Sequence, residues 1–356
     1  MKTETNKFGT GELFEAEDLK GLTYVLGAAC TSIQAEMLSF ANAYPSRFTL
    51  APQLANNIVV LSCQVTDLAI YNDIQKMGKL MNDYPDADNY LFGGCLARRF
   101  DIELPHDLHN VTKRLDAIRV DYQQINRQDL IDFADPFWIP DFIEYMDDSD
   151  LAPGQLFRHM YPLRIGVGCQ GKCKYCSINT TRGAHYELEA STLINEFCRH
   201  ENVVLISDSP SIKQVKEWCE IAITYKKPFS IRNVEPQVAM ACWNELLLAS
   251  QHGFLNILHV PVQAVSTLTL ADMGRNVAAT KEYLRMAESF KKYGTKLATN
   301  VIIDYKDFPD PDNEDLAVFD YISWNPYWDG VWDRQKAYER FIYYLGSGHK
   351  LYENEG

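Results

Sequence analysis

Short unbroken apolar runs alternate along this chain with longer stretches of helical pattern. In the first third the runs are Thr23-Tyr-Val-Leu-Gly-Ala-Ala-Cys30, Asn57-Ile-Val-Val-Leu-Ser-Cys63 and Tyr90-Leu-Phe-Gly-Gly-Cys95. Helical patterns fall between them at about 32–43 and 66–82. Strands written as continuous apolar runs are buried on both faces, and with helices between them they predict a parallel sheet. Each run ends in a cysteine. Ligands of open α/β sheets bind beyond the carboxyl ends of the strands. The topology therefore predicts that Cys30, Cys63 and Cys95 converge on one crevice.

From about 101 to 161 the chain is polar and irregular, with Pro136, Pro140 and Pro153 and an acidic patch at Asp147-Asp148-Ser149-Asp150. This stretch reads as a connector with a helix over 107–120. A second alternation follows. Strands are predicted at 163–167, 203–207, 229–232, 257–260 and 298–303, and helices at 211–225, 237–251 and 279–293. A βα series of this length suits a partial or full (β/α) barrel. The predicted fold class is thus α/β, an N-terminal open parallel-sheet domain followed by a barrel. The boundaries are 1–118 for the first domain, 119–160 for the connector, 161–345 for the barrel and 346–356 for a tail.

Composition narrows the function classes. The chain has 356 residues, 46% apolar and 23% charged, an ordinary globular mix that at ~150 residues per domain gives about two domains. Net charge is −14, from 34 Lys+Arg against 48 Asp+Glu, with a pI near 5.0. That argues against a protein whose main task is wrapping a phosphate backbone, while leaving room for a local basic groove. Mean hydropathy is −0.26, and no apolar run approaches the ~18–20 residues of a membrane span. The polar start lacks the apolar centre of a signal peptide. The expected location is the cytoplasm, with no membrane partner. Nine cysteines, an odd number in a reducing compartment, do not read as a disulfide framework. Cys198, Cys219 and Cys242 fall in helical stretches and read as packing residues.

The remaining cysteines sit in Gly168-Cys-Gln-Gly-Lys-Cys-Lys-Tyr-Cys-Ser177, a C-x3-C-x2-C spacing directly after a predicted strand. Three thiolates on one loop suit three irons of a [4Fe–4S] cube, which leaves a fourth iron open to a small chelating molecule. Structural zinc is the first alternative. It wants four ligands, and His185 is the available fourth at a poor spacing. An unliganded redox triad is the second.

This string resembles the signature of the radical S-adenosylmethionine (SAM) superfamily. The resemblance implies that Cys169, Cys173 and Cys176 hold a cluster whose open iron is chelated by SAM, with Tyr175 at the aromatic position beside the adenine. It sharpens to the methylthiotransferases, which modify tRNA adenosines or a ribosomal-protein aspartate. Matching segments are Gly27-Ala-Ala-Cys30, Leu61-Ser-Cys63-Gln-Val-Thr and Gly93-Gly-Cys95-Leu-Ala-Arg98. Further matches are Cys176-Ser-Ile-Asn-Thr-Thr-Arg182-Gly183, Ile231-Arg232-Asn-Val-Glu235-Pro236, Leu258-His259-Val-Pro261-Val-Gln263-Ala-Val-Ser266 and Met273-Gly-Arg275. They span about residues 20 to 310. The family implies a second [4Fe–4S] cluster on Cys30, Cys63 and Cys95. Singly, each of those cysteines also reads as a small buried apolar residue.

Other side chains have two readings. The planar fork of Arg232 suits the SAM carboxylate, or a rim salt bridge with Glu235. Asp208 suits the SAM amino group, or a helix N-cap in Asp208-Ser-Pro-Ser211. Gln263 fits near SAM or as a satisfied loop amide. Arg182 fits beside SAM or the cluster edge, or in solvent. His259, in an apolar strand, reads as a core histidine.

Three features depart from the family. Tyr305-Lys-Asp-Phe-Pro-Asp310 stands where a Gly-Phe-Pro-Gly-Glu turn is usual. Ser323-Trp-Asn-Pro-Tyr-Trp-Asp-Gly-Val-Trp332 replaces the late Tyr-Ser-x-Arg-x-Gly-Thr string, and reads as packing of the last barrel element or as a wall of the substrate pocket. With the sequence ending at Gly356, no C-terminal TRAM barrel of the kind that grips RNA in the family is expected. The expected activity is insertion of sulfur or a methylthio group at an unactivated C–H carbon, with a peptide or protein substrate favoured and tRNA second. The expected electron source is a reductant such as flavodoxin or ferredoxin. Alternatives are two-cluster radical chemistry without sulfur transfer and a non-catalytic metal-binding scaffold.

Overall fold

The computed structural model describes residues 13–14, 19–27, 44, 46–62, 67–95, 113–115, 157, 160–178, 182, 185–312, 314–331, 333 and 335–340. The chain divides into two compact units. One comprises Met1–Tyr145 with Gly330–His349 and Glu355–Gly356, the other Met146–Asp329 with Lys350–Asn354.

The first unit is built on a parallel sheet of β1 (Leu13–Phe14), β2 (Thr23–Gly27), β3 (Asn57–Ser62), β4 (Asn89–Gly94) and β5 (Lys113–Leu115), in the order β1-β5-β4-β3-β2. β3 is buried at every position, as its unbroken apolar run requires. Buried polar groups tie the strand starts together. Asn57 Nδ2 donates to Lys20 O at 2.8 Å and to Thr23 Oγ1 at 3.2 Å, and Asn89 Nδ2 donates to Asn57 Oδ1 at 2.7 Å. Helix α1 (Asp67–Asp83) buries Ile70, Ile74 and Met77, one stripe at helical spacing. The helix expected over 107–120 is corrected within the described part: residues 113–115 are β5, paired with both β1 and β4. Pairing into an existing sheet overrides a weak local helix preference.

The ends of β2, β3 and β4 lie in register, with Gly27 opposite Leu61, Leu61 opposite Gly93 and Ser62 opposite Gly94. Gly94 has φ +67, and a Cβ there would lie 2.7 Å from Ser62 O. Gly94→Ala is therefore expected to destabilise this unit by ~2–4 kcal/mol, from left-handed backbone plus overlap. A lowered urea midpoint would read the loss.

The second unit holds six parallel strands in the order β13-β12-β11-β10-β9-β6. They are β6 (Tyr161–Arg164), β9 (Val203–Ile206), β10 (Phe229–Ile231), β11 (Leu255–His259), β12 (Lys296–Ile303) and β13 (Tyr321–Pro326). Among the described residues β6 pairs in this sheet with β9 alone and β13 with β12 alone, so the barrel is partial. A small antiparallel pair, β7 (Gly166–Val167) and β8 (Tyr186–Glu187), brackets the cysteine loop. The intervening helices are α2 (Ala190–Arg199), α3 (Ile212–Tyr225), α4 (Pro236–Ala241), α5 (Trp243–Gln251), α6 (Thr267–Asp272), α7 (Val277–Met286) and α8 (Glu288–Lys291). The predicted helix 237–251 is two helices that meet at Cys242, whose φ −109 and ψ 18 leave the helical region. The predicted 279–293 is likewise two, joined at Ala287. Trp218 of α3 and Phe197 of α2 pack with ring centres 5.2 Å apart. Cys219 and Cys242 are buried. Among the described residues no helix is long and apolar enough to cross a membrane.

Candidate functional site

The C-x3-C-x2-C loop leaves β7 through Gly168, whose φ of +80 turns the chain at the carboxyl end of the sheet. Asp208, just beyond β9, accepts the Gly168 N–H on Oδ2 at 2.8 Å. Its Oδ1 lies 3.9 Å from Arg182 Nε, with both side chains almost fully buried. Asp208 is not the N-cap of α3. That role falls to Ser211, which accepts the Gln214 N–H. Arg182, readable from sequence as a solvated residue, is instead 7% exposed.

The loop is held from its other side by the turn after α6, where Lys174 N–H donates to Met273 O at 3.0 Å. Tyr175 packs on Ala264, Leu270, Met273, Ile302 and Tyr305. The sulfurs receive N–H donors: Gly171 N–H to Cys169 Sγ at 3.2 Å and Arg275 Nη1 to Cys173 Sγ at 3.7 Å, and Ile178 N–H to Cys176. Burial raises the Cys169 thiol pKa, against the Gly171 N–H and Ser209, which lower it. Among the described residues no three His, Cys, Asp or Glu side chains gather closely enough to hold a single metal ion. A Cβ on Gly171 would lie 3.2 Å from Cys169 Sγ and 3.9 Å from Cys173 Sγ. Three thiols on one loop, each with an N–H donor, fit thiolates that hold a cluster. His185 does not face them, because its ring nitrogens are engaged by Gly168 O at 3.1 Å and Glu187 Oε1 at 3.0 Å.

Glu235 caps the wall opposite, and its partner differs from the one considered above. Its Oε2 lies 2.5 Å from Arg275 Nη1, whereas Arg232 stands with its guanidinium carbon 5.0 Å from the Phe157 ring centre. Arg275 is the residue whose role here was missed. Its only sequence signal was the Met273-Gly-Arg275 string. Gln263 has φ +68, its N–H bonds Asn300 O and its carbonyl accepts from Ile302. Among the described residues its side-chain amide has no hydrogen-bond partner. A bulky non-glycine residue held in left-handed backbone is a mark of functional sites.

His259 is the core histidine expected. Its Nδ1 accepts the Asn233 N–H at 3.0 Å, so Nε2 carries the proton and donates to Asn300 Oδ1 at 3.1 Å. Burial first, and then the Arg232 charge, lower its pKa to about 3, against the Asn300 hydrogen bond. The unfolded chain binds this proton near pH 6.5 and the folded chain does not. The neutral ring therefore costs nothing above pH 6.5, and stability falls below it, by ~1.4 kcal/mol per pH unit towards pH 3. A His259→Gln variant is expected to flatten that slope in urea titrations at stepped pH.

Of the second triplet, Cys95 is described and buried, directly after β4. Cys30 and Cys63 lie outside the described residues. Tyr305-Lys-Asp-Phe-Pro-Asp310 forms a turn with positive φ at Asp304 and Lys306. It is braced by Tyr305 Oη donating to Asp272 at 2.8 Å and by Lys306 pairing with the same carboxylate. The aromatic run beginning at Ser323 opens with the last barrel strand, β13, and Tyr327 packs edge-on against Tyr305 at 4.6 Å.

Residues 163–317 match the Radical SAM superfamily model. The chain contains a radical SAM domain. Such a domain binds a [4Fe–4S] cluster and SAM. Its curated relatives are methylthiotransferases. The ribosomal protein uS12 methylthiotransferase RimO of Petrotoga mobilis is 21% identical over 321 residues, 83% of this chain and 71% of the relative. That of Clostridium acetobutylicum is 23% identical over 298 residues, 75% and 64% of the two chains. The domain and these relatives make the chain an enzyme of the radical SAM transferase class, resembling methylthiotransferases. Among solved structures it is similar to the radical SAM methyltransferase TsrM from Kitasatospora setae with cobalamin and a [4Fe–4S] cluster bound. The TM-score is 0.53 at 8% identity, covering 86% of this chain and 75% of that one. That likeness is one of fold.

Proposed function

We propose that this enzyme uses two [4Fe–4S] clusters and SAM to insert sulfur or a methylthio group at an unactivated C–H carbon of a peptide or protein. The observation that carries the reading is the cysteine loop, with N–H donors at its sulfurs and Asp208 and Arg275 bracing it, at the carboxyl end of a parallel barrel. Cys169, Cys173 and Cys176 hold the SAM-binding cluster. The auxiliary cluster falls to Cys30, Cys63 and Cys95, which follow in sequence the ends of three neighbouring strands in register. When bound, these groups supply hydrogen abstraction from a carbon without a leaving group, and the sulfur that replaces the hydrogen.

The protein's own side chains bind and orient. Arg232 holds the SAM carboxylate with its fork, and the unpartnered amide of Gln263 faces the reactants. Tyr175 lines the adenine side. Asp208 and Arg182 fix the start of the loop, so that their contribution to SAM is through the loop's position. The packed wall of Tyr175, Tyr305 and Tyr327 excludes water.

The relatives' names specify a ribosomal protein as their substrate, and a net charge of −14 disfavours a polyanion. Both support a peptide or protein. Reconstituted enzyme with methyl-labelled SAM and a reductant such as flavodoxin or ferredoxin, offered a proteome digest and total tRNA, tests it. Label in the peptides supports the reading, and label in tRNA overturns the substrate. Label in neither, with SAM still cleaved, overturns methylthio transfer, and peptide masses that also show no added sulfur overturn sulfur insertion.

A further inference from the structure

The three cysteine sulfurs are not in equivalent surroundings. Cys169 and Cys176 receive neutral backbone N–H groups, from Gly171 and Ile178. Cys173 receives a guanidinium, Arg275 Nη1 at 3.7 Å. Arg275 stands 102 residues further along the chain, and its side chain is 3% exposed. It has no freedom to swing away. Its Nη2 donates to Pro261 O at 2.5 Å and its Nη1 lies 2.5 Å from Glu235 Oε2. A rigid, permanently charged donor is therefore aimed at one sulfur, with one carboxylate behind it as partial counterweight.

We propose that the Glu235–Arg275 pair sets the reduction potential of the SAM-binding cluster through the sulfur of Cys173. This rests on the assignment of the cysteine loop to that cluster. Reduction adds one electron, whose charge spreads onto the ligand sulfurs, and no proton is transferred. A cation hydrogen-bonded to a sulfur stabilises the reduced form more than the oxidised one and raises the potential. A carboxylate beside that cation works against it. Arg275 is thus a positioning residue that acts through Cys173, and the two partners are predicted to act with opposite sign.

The test is an EPR redox titration of the full-length reconstituted protein, with dithionite as the one-electron reductant, following the signal that SAM perturbs. Iron content is measured alongside. At fixed poise, Arg275→Gln is expected to lower the reduced-to-oxidised ratio about tenfold, a shift of ~59 mV for a one-electron couple. Glu235→Gln is expected to raise the ratio, and Arg275→Lys to fall between wild type and Arg275→Gln. If Arg275→Gln does not fold, the rise in Glu235→Gln and the smaller fall in Arg275→Lys still decide the matter. Assembled clusters with unchanged potentials, or shifts of one sign in both partners, overturn the proposal while leaving the cluster assignment intact. Wild-type protein that takes up no SAM-sensitive cluster overturns both.

Discussion

On anaerobic reconstitution with iron and sulfide, the intact chain is expected to take up about eight irons and the Cys30/Cys63/Cys95→Ala variant about four, two cubes against one. Both are expected to cleave SAM under reduction. The Cys169/Cys173/Cys176→Ala variant is expected to keep about four irons, on the other triplet, and to lose SAM cleavage to background. The asymmetry follows from where the sulfurs stand. In the barrel, the three thiols stand on one short loop, each with an N–H donor at its sulfur. His185, the fourth ligand a zinc site would need, has both ring nitrogens engaged. Alanine at all three positions therefore removes the cluster rather than shifting it. In the first unit, the three cysteines follow separate strands in sequence, and none of them belongs to the loop. Iron with 5′-deoxyadenosine in wild type supports the reading. Zinc in place of iron, with SAM intact, returns the loop to a structural metal site. Eight irons retained in the Cys30/Cys63/Cys95→Ala variant would remove the auxiliary cluster from those residues.

Much of this architecture is legible in the sequence where burial is two-sided. β2, β3 and β4 were readable because a strand covered on both faces is an unbroken apolar run, and β9 through β12 for the same reason. β13 escaped because Trp324-Asn325-Pro326 interrupts its apolar character. Only Ser323 and Pro326 in it are buried, as suits a strand with a neighbour on one side. The break at Cys242 carried no glycine and no proline inside the helix. The cysteine loop was legible as a local string. Its supports were not, because they are made over long separations. Glu235 meets Arg275 across 40 positions, a spacing with no local signature, and the nearer Arg232 was the natural partner to name. Asp208 had an equally good local explanation as an N-cap. Only the Ser211 hydroxyl at the Gln214 N–H releases Asp208 for Gly168.

Asp208 gives the second large expected effect, because its two oxygens do separable work. One pairs with a guanidinium that is almost fully buried, and the other holds the N–H of Gly168, immediately before Cys169. Asp208→Ala removes both. Removing one partner of a buried ion pair costs ~3–5 kcal/mol. The freed Gly168 N–H loosens the turn that starts the loop. Asp208→Asn keeps an acceptor for Gly168 and removes only the charge. Both variants are thus expected to lose stability in urea titrations, whereas Asp208→Ala alone is expected to surrender its barrel cluster faster to an iron chelator. Adding Arg182→Met to Asp208→Ala is expected to recover part of the stability without recovering cluster retention, because it removes the guanidinium that Asp208 paired with and leaves the turn loose. If Asp208→Ala and Asp208→Asn lose iron at the same rate, the Gly168 hydrogen bond does not hold the loop, and Asp208 acts through its charge alone.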